Sequence, residues 1–167
     1  MKKNITRILI ILLMISVNIG CDQSTKHLAK KHLKGAGTIE VVGDYIVLRY
    51  TENRGAFLSI FSSAPNVLRI VLLLIAPAAA LFAATAYVLY DSSIRGPHLA
   101  SLCCLLGGGM SNVMIDRLFN NGYVVDFMNI GIGTIRSGIF NFADLSIVFG
   151  SCALFLYVFK TKKGAAV

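Results

Sequence analysis

Four long apolar segments, separated by polar stretches, constrain this chain more than any other feature of its sequence. They cover about residues 5–22, 67–90, 99–115 and 139–159. A helix of roughly 20 apolar residues crosses the hydrocarbon core of a bilayer, where every backbone polar group must be paired within the protein. Charged residues make up only 14% of the chain, whereas a soluble domain carries about 25%. We therefore predict a mainly α integral membrane protein with four transmembrane helices, and we exclude a water-soluble enzyme.

The two longer polar segments, about 23–66 and 116–138, follow the first and third spans and so lie on the same side of the membrane. The stretch from Thr38 to Tyr50 is rich in β-branched and aromatic residues, which predicts a small β-rich sheet at the membrane surface. The second segment contains many Gly and Asn residues and is predicted to be a loop. The whole chain, 1–167, then forms a single membrane-embedded domain.

The net charge of +8 comes largely from basic residues that flank the apolar segments. Lys2 and Lys3 precede the first span, and Lys160, Lys162 and Lys163 follow the last one. Basic residues at such places bind anionic lipid headgroups and set the topology. They favour membrane lipids rather than nucleic acid as partners. The number of Lys and Arg on each side leaves the orientation open, but the charges at the two termini favour a cytoplasmic location for both.

The first span has a second interpretation, because Lys2-Lys3, an apolar run and Gly20-Cys21 resemble the start of a bacterial lipoprotein that is cleaved before Cys21. Three further spans weigh against it, since lipoproteins are normally soluble domains on a lipid tether. We expect Cys21 near the outer end of a retained helix. The cysteine spacing matches no zinc pattern, and the sequence has no HExxH or GxSxG motif. We therefore expect neither a metal nor a cofactor.

Two aspartates stand out among the few acidic residues. Asp126 has apolar neighbours, and Asp144 lies about one turn inside the fourth span. Two carboxyl groups in a poorly solvated site share one proton, so that the ionised group takes a proton from water while the neutral group donates to a carbonyl oxygen. This chemistry is that of an aspartic protease. The structural alternative is that each aspartate caps a helix or pairs with Arg117 or Arg136.

The remaining intramembrane acids have simple structural interpretations. Asp22 precedes Lys26 by four residues, which is the spacing of a helical ion pair. Asp116 is followed directly by Arg117 at the end of the third span, and a structural role is expected for it as well.

Five short motifs, in this order along the chain, resemble the lipoprotein signal peptidase family, also called signal peptidase II, of bacterial membrane aspartic proteases. They are Asp22-Gln23-Ser24-Thr25-Lys26, Asn53-Arg54-Gly55-Ala56-Phe57, Asp116-Arg117, Val124-Val125-Asp126-Phe127 and Phe140-Asn141-Phe142-Ala143-Asp144. Each motif alone is weakly specific, but five in order with four spans are a specific pattern.

The resemblance implies a multi-pass protein of the bacterial cytoplasmic (inner) membrane with both termini in the cytoplasm. A β-rich cradle would lie beside an active site near the extracytoplasmic face. The family removes the signal peptide from diacylglyceryl-modified prolipoproteins by cleaving just before the lipidated cysteine. We expect diacylglyceryl-prolipoproteins and membrane lipids as partners, no cofactor, and a monomeric peptidase domain.

The resemblance also assigns residues. Asp126 and Asp144 fall on the catalytic aspartates of the family. The positions that would support them or bind substrate are Asp22, Lys26, Asn53, Arg54, Gly55, Asn112, Asp116, Arg117, Asn141 and Ala143. Arg54 occupies the variable place of an Asn-x-Gly motif, where it would touch substrate or lipid headgroups. The chain departs from the usual Asn-x-x-Asp-Arg motif, because Asn112 precedes Asp116 by four residues rather than three.

A rival function from another class is a small polytopic transporter or channel subunit that uses intramembrane aspartates to bind a cation or a proton. Such a protein would distribute its acids along a path across the membrane. In this sequence the acids instead cluster at one face, which favours hydrolysis of a substrate that reaches that face.

Overall fold

A computed structural model describes residues 5–56 and 60–164, and side chains as far as Thr161. Lys2 and Lys3, two of the predicted basic anchors, lie outside the described residues, as does Phe57, the last residue of the second motif. The side chains of Lys162 and Lys163 also lie outside that part of the chain.

Four helices long and apolar enough to cross a membrane make up most of the structure, which confirms the predicted fold class. We number them α1 (Ile5–His32), α2 (Asn66–Tyr90), α3 (Gly96–Phe119) and α4 (Phe142–Gly164). Several of these helices begin or end at residues other than those predicted. Local polar contacts explain two of these differences, at the end of α1 and at the start of α4.

Helix α1 continues ten residues beyond the predicted end of the first span at residue 22. The charged residues Asp22 and Lys26 do not end it because they face the protein interior and pair with each other. Its last turn carries Lys30, Lys31 and His32, and basic residues there interact favourably with the helix dipole. Cys21 lies within this unbroken helix and is exposed.

Helix α4 begins at Phe142, three residues after the predicted start of the fourth span at 139. The backbone N–H of Asn141 donates to Asp144 Oδ2, and the N–H of Asp144 donates to Asn141 Oδ1. This reciprocal pattern satisfies two free N–H groups at a helix N-terminus. It therefore fixes where the helix starts.

The sheet has four antiparallel strands in the order β1-β2-β3-β4. They are β1 (Thr38–Val42), β2 (Ile46–Asn53), β3 (Val124–Ile132) and β4 (Ile135–Arg136). The first two strands agree with the prediction. The prediction of a loop over 116–138 is wrong for β3 and β4, because β3 pairs along the whole of β2, with Thr51 opposite Asp126.

Two glycines allow α3 and α4 to approach closely. A Cβ atom at Gly108 would lie 2.5 Å from the carbonyl oxygen of Ala143, and one at Gly150 would lie 2.7 Å from that of Ser101. Any larger residue would push the helices apart. The glycine at 108 therefore sets how closely the start of α4, with Asp144, lies against α3.

The sheet lies at one end of the helices, and Arg7 marks the opposite end. Its guanidinium donates to the carbonyl oxygens of Val88 at 2.7 Å and Asp91 at 2.8 Å. The start of α1 is thereby fixed to the short connection between α2 and α3. This arrangement leaves the sheet and both polar segments together at the other end.

Candidate active site

Asp126 is buried on β3, with 3% of its surface exposed. Its Oδ2 accepts a hydrogen bond from Asn53 Nδ2 at 3.0 Å, and its Oδ1 accepts one from Asn141 Nδ2 at 2.7 Å. Burial raises the pKa of Asp126 to about 7, and the nearby charge of Asp144 adds to the rise, while the two amide hydrogen bonds oppose it. Asp126 can therefore hold a proton near neutral pH.

Asp144 is half-buried in the first turn of α4. Its Oδ1 accepts a hydrogen bond from Asn112 Nδ2 at 2.9 Å, while its Oδ2 accepts from the Asn141 backbone at 3.0 Å. The predicted structural alternative of a helix cap is thus present at Asp144. The same contacts also fix the direction of the carboxyl group.

Asn141 contacts both aspartates and joins them into one unit. Its side chain donates to Asp126, and its backbone N–H and side-chain oxygen bond to Asp144. Both carboxyl groups line a single cavity of about 720 Å³. Asn53, Gly55, Asn112 and Arg117 also line it. The structure therefore brings the two candidate catalytic aspartates to the wall of one cavity.

Neither predicted arginine forms an ion pair with these two aspartates among the described residues. Arg136 pairs with Asp44 at 2.8 Å. Arg117 donates to the carbonyl oxygens of Gly55 at 2.5 Å and Gly122 at 3.0 Å. The structure thus leaves Asp126 and Asp144 with amide and backbone donors rather than with a guanidinium.

A buried ionic cluster lies beneath the site, centred on Lys26. The ammonium contacts Asp22 Oδ2 at 2.5 Å, Asp116 Oδ2 at 2.9 Å and Asn112 Oδ1 at 2.6 Å. A lysine has three N–H donors, so all of them are used. The predicted pair of Asp22 with Lys26 is present, whereas Asp116 pairs with Lys26 rather than with its neighbour Arg117.

The two carboxylates of this cluster also hold the backbone beside the catalytic candidates. Asp22 Oδ1 accepts from the N–H of Ala143 at 2.8 Å, and Asp116 Oδ2 accepts from that of Val125 at 3.1 Å. Ala143 directly precedes Asp144, and Val125 directly precedes Asp126. One lysine with two carboxylates therefore fixes the backbone at both aspartates.

The unusual spacing of Asn112 and Asp116 is accommodated by a π-helical stretch, Met110–Asp116, within α3. A π-helical turn takes one more residue than an α-helical turn and is often found at functional sites. Asn112 and Asp116 consequently both face Lys26 despite the additional residue between them.

The loop after β2 covers one side of Asp126. Asn53 Oδ1 accepts from the Gly55 N–H at 2.9 Å, while its amide donates to Asp126 and to Ala56. The structure does not bring Arg54 to the aspartates. Its exposed side chain lies over the Tyr123 ring, 5.9 Å from the ring centre.

Two polar residues of the buried cluster were not among the predicted site residues. Ser111 Oγ donates to Asp22 at 2.7 Å, and Gln23 Nε2 donates to Asp116 Oδ1 at 2.8 Å. Each is a neutral polar residue beside a predicted site residue, and Ser111 lies in an apolar helix. A polar side chain at such a place needs a buried partner, and this was the only sequence signal for them.

The site consists of carboxyl, amide and ammonium groups. Across the described residues, no three His, Cys, Asp or Glu side chains are grouped so as to hold a metal ion. The groups that face the cavity can exchange protons and form hydrogen bonds with a peptide.

Comparisons with known proteins identify the family of this chain. The family model described as signal peptidase (SPase) II matches residues 13–160. The lipoprotein signal peptidase of Aquifex aeolicus is 36% identical over 84% of this chain and 80% of its own length. That of Treponema denticola is 34% identical over 81% of this chain and 80% of its own length.

A solved bacterial membrane enzyme has a similar fold, with a TM-score of 0.79 and 24% sequence identity over 92% of this chain and 90% of that one. At this identity the similarity concerns the fold alone. The family match covers most of α1 and α4, all of α2 and α3, and both strands that carry the site. This chain therefore belongs to the signal peptidase II family of membrane-embedded aspartic peptidases.

Proposed function

We propose that Asp126 and Asp144 are the catalytic pair with which this signal peptidase II hydrolyses its prolipoprotein substrates. The observation that carries the proposal is their convergence on one cavity, where Asn141 hydrogen-bonds to both. Two carboxyl groups with different surroundings can divide the roles of acid and base.

The surroundings favour Asp126 as the group that holds the shared proton. It is almost fully buried, and its pKa is raised to about 7, first by burial and then by the charge of Asp144. Asp144 is more exposed to the cavity and accepts hydrogen bonds from Asn112 and from the Asn141 backbone, which stabilise an ionised carboxylate.

In the proposed reaction, ionised Asp144 takes a proton from water while the water oxygen bonds to the scissile carbonyl carbon. Asp126 donates its proton to the carbonyl oxygen. When the tetrahedral intermediate collapses, the C–N bond breaks, the nitrogen receives the proton from Asp144, and Asp126 regains its own. The products are a signal peptide with a new carboxyl group and a lipoprotein with a free amino group, so both aspartates return to their starting states.

The residues that line the cavity support the proposal that the substrate is diacylglyceryl-modified and is cleaved just before its lipidated cysteine. Apolar residues from α2 and α4, including Leu72 and Val148, line the side away from the sheet. Both are accessible, and they lie within spans that face lipid. The acyl chains can therefore stay in the bilayer while the peptide crosses the carboxyl groups.

The same proposal places the enzyme in the bacterial inner membrane as a single-domain monomer, with both termini in the cytoplasm and the active site near the extracytoplasmic face. The position of Arg7 beside the α2–α3 connection, at the end opposite the sheet, supports it. A prolipoprotein presents its cleavage site after export, so an extracytoplasmic cradle suits the substrate.

The positions of the acids also argue against a transporter. Within residues 5–56 and 60–164, seven of the eight Asp and Glu residues lie in the sheet, the site or the cluster beneath it, and Asp91 lies in the connection at the other end. No carboxyl group of this part of the chain lies between those two ends. A path for a proton or cation across the membrane would therefore have no carboxyl group in its middle part among the described residues.

The test is cleavage of a purified diacylglyceryl-prolipoprotein by wild type, Asp126→Asn and Asp144→Asn. General acid and base groups each contribute about 10²–10⁴-fold, so each variant should lose at least about 100-fold in rate. Asp91→Asn is the matched control, because Asp91 lies far from the site and its carboxyl group accepts a hydrogen bond from the Ser93 N–H in its own loop. Full activity in both folded variants would exclude a catalytic role for the two aspartates. A wild-type protein that cleaves no prolipoprotein would favour the transporter function instead.

A further inference from the structure

A second cavity, of about 390 Å³, adjoins the catalytic one at the sheet end of α2 and α3. Three arginines from different parts of the chain line it: Arg54 follows β2, Arg69 lies in the first turns of α2, and Arg117 lies in the last turn of α3. Its other polar lining residues are Asn66 and Asn121. No Asp or Glu of the described chain lines this cavity.

The three guanidinium groups have no carboxylate partner among the described residues. Arg54 is stacked on Tyr123, and Arg117 donates only to backbone carbonyl oxygens. The Arg69 side chain makes no hydrogen bond or ion pair with the described residues, and its Nε is buried away from solvent. A buried donor without a partner costs free energy, and three like charges around one small cavity repel each other. An anion with several acceptor oxygens would remove both costs.

The wall of the cavity that α2 forms is apolar and consists of Ile70, Leu73 and Leu74. This wall continues into the outer face of α2, where Val67 is 75% and Ile70 51% exposed. Arg69 and Arg117 lie at the ends of spans, which is the depth of phospholipid headgroups, and Arg54 lines the same cavity from the loop after β2. The site thus has a cationic part at headgroup depth and an apolar part directed into the bilayer.

We propose that this cavity binds an anionic phospholipid, with its phosphate held by Arg54, Arg69 and Arg117 and its acyl chains along α2. Arginine matches phosphate oxygens in bidentate geometry. A diacylglyceryl group carries no phosphate, so this lipid is separate from the substrate and the site goes beyond the proposed peptidase activity.

The proposed lipid would also contact the catalytic cavity. Arg117 and Leu73 line both cavities. Arg117 holds the carbonyl of Gly55, and the neighbouring Asn53 holds Asp126. A phosphate bound to Arg117 would therefore contact the residue that holds Gly55, next to the Asn53 that bonds to Asp126.

Thermal unfolding of the full-length protein in an uncharged detergent tests the site without measuring cleavage. Dihexanoyl-phosphatidylglycerol is titrated, with dihexanoyl-phosphatidylcholine and inorganic phosphate as comparison ligands. A ligand that binds only the folded state raises Tm progressively once its concentration exceeds its Kd. We expect phosphatidylglycerol to do so with an apparent affinity about tenfold higher than that of net-neutral phosphatidylcholine.

Arg69→Gln and Arg54→Gln should each weaken the affinity for phosphatidylglycerol about tenfold, because each removes a charged donor. Arg95→Gln, an exposed arginine at the opposite end that bonds to Ser92, should not change it. Without lipid, Arg69→Gln should unfold at the same or a higher temperature than wild type, since it removes a buried unpartnered donor. Arg69→Lys should bind with intermediate affinity.

Equal affinity for the two lipids, or equal binding by Arg69→Gln and Arg95→Gln, would overturn the proposal. Inorganic phosphate that binds as tightly as phosphatidylglycerol would also overturn it, in favour of a small-anion site. The Asp126→Asn and Asp144→Asn variants should bind the lipid like wild type. Loss of the lipid site is therefore distinguishable from failure of the proposed catalytic pair.

Discussion

Lys26 Nζ and Asn112 Oδ1 form a buried hydrogen bond of 2.6 Å, and the Asn112 amide donates in turn to Asp144. The ammonium thus orients the amide, because Oδ1 must face Lys26 and Nδ2 must then face the carboxyl group. The positive charge of Lys26 consequently holds the Asn112 amide in the orientation in which it donates to Asp144, the proposed catalytic base. Such supporting contacts hold reacting groups in a productive geometry.

Lys26→Met should greatly destabilise the protein. It leaves the carboxylates of Asp22 and Asp116 without their shared cation, and each is 1% exposed. Breaking a buried ion pair from one side costs about 3–5 kcal/mol. Thermal unfolding in detergent measures the effect. Lys34→Met is the control, since Lys34 pairs with Glu52 at the surface, where a pair contributes about 0–1 kcal/mol. Equal stability of the two variants would contradict the role given to the cluster.

The pH dependence of kcat/KM should have an alkaline limb near pH 7. The pKa of Asp126 is raised to about 7, with burial as the largest cause. Above this pH, Asp126 loses the proton that it donates in the proposed mechanism, so activity falls as pH rises. Below it the proton is retained, and activity falls only when Asp144 becomes protonated as well.

Asn53→Ala should move that alkaline limb to higher pH. The Asn53 amide donates to Asp126 Oδ2 and so lowers the pKa of that carboxyl group against the effect of burial. Without this donor the ionised form loses stabilisation and the pKa rises further. Profiles of kcat/KM for wild type and variant provide the comparison, with Asn120→Ala as a control in the turn after α3. An unchanged limb, or one at lower pH, would argue against Asp126 as the acid.

Two substitutions at Asn141 separate helix capping from catalysis. Asn141→Ala removes the side-chain acceptor at the start of α4, which costs about 1 kcal/mol, and it removes the donor to Asp126. Asn141→Ser retains a capping oxygen but is too short to reach Asp126. We expect Asn141→Ser to unfold near the wild-type temperature and both variants to lose about 10²-fold in kcat. Wild-type kcat in Asn141→Ser would mean that the bond to Asp126 has no part in catalysis.

Gly108→Ala should reduce both stability and activity. The new Cβ would lie 2.5 Å from the Ala143 carbonyl oxygen, which forces α3 and α4 apart and displaces Asp144. Such overpacking costs about 1–3 kcal/mol. Gly20→Ala is the matched control, because nothing lies within 4 Å of a Cβ there and alanine favours a helix by about 0.5–1 kcal/mol. Tm and cleavage rate should fall in the first variant only.

The helices and one ion pair follow from the sequence because the signals are local. Apolar runs long enough to cross a bilayer predict spans whatever their neighbours are. The four-residue spacing of Asp22 and Lys26 places both on one helix face, and the structure shows them paired. The two catalytic candidates stand out because ionisable residues in apolar surroundings are costly and need a reason.

Tertiary packing decided the rest, since it depends on partners far apart in the chain. Glycine and asparagine residues around β3 predict a loop, yet β2 supplies a complete antiparallel partner and the segment becomes a strand. Asp116 bonds to Lys26 on another helix, although Arg117 is its immediate neighbour. The sequence by itself determined which segments enter the membrane and which carboxyl groups are exceptional. Only the folded chain determined which cation, amide or backbone N–H each carboxyl group contacts. A buried carboxylate needs a hydrogen-bond or ionic partner, and that partner is the donor that lies nearest in space, not the one nearest in the sequence.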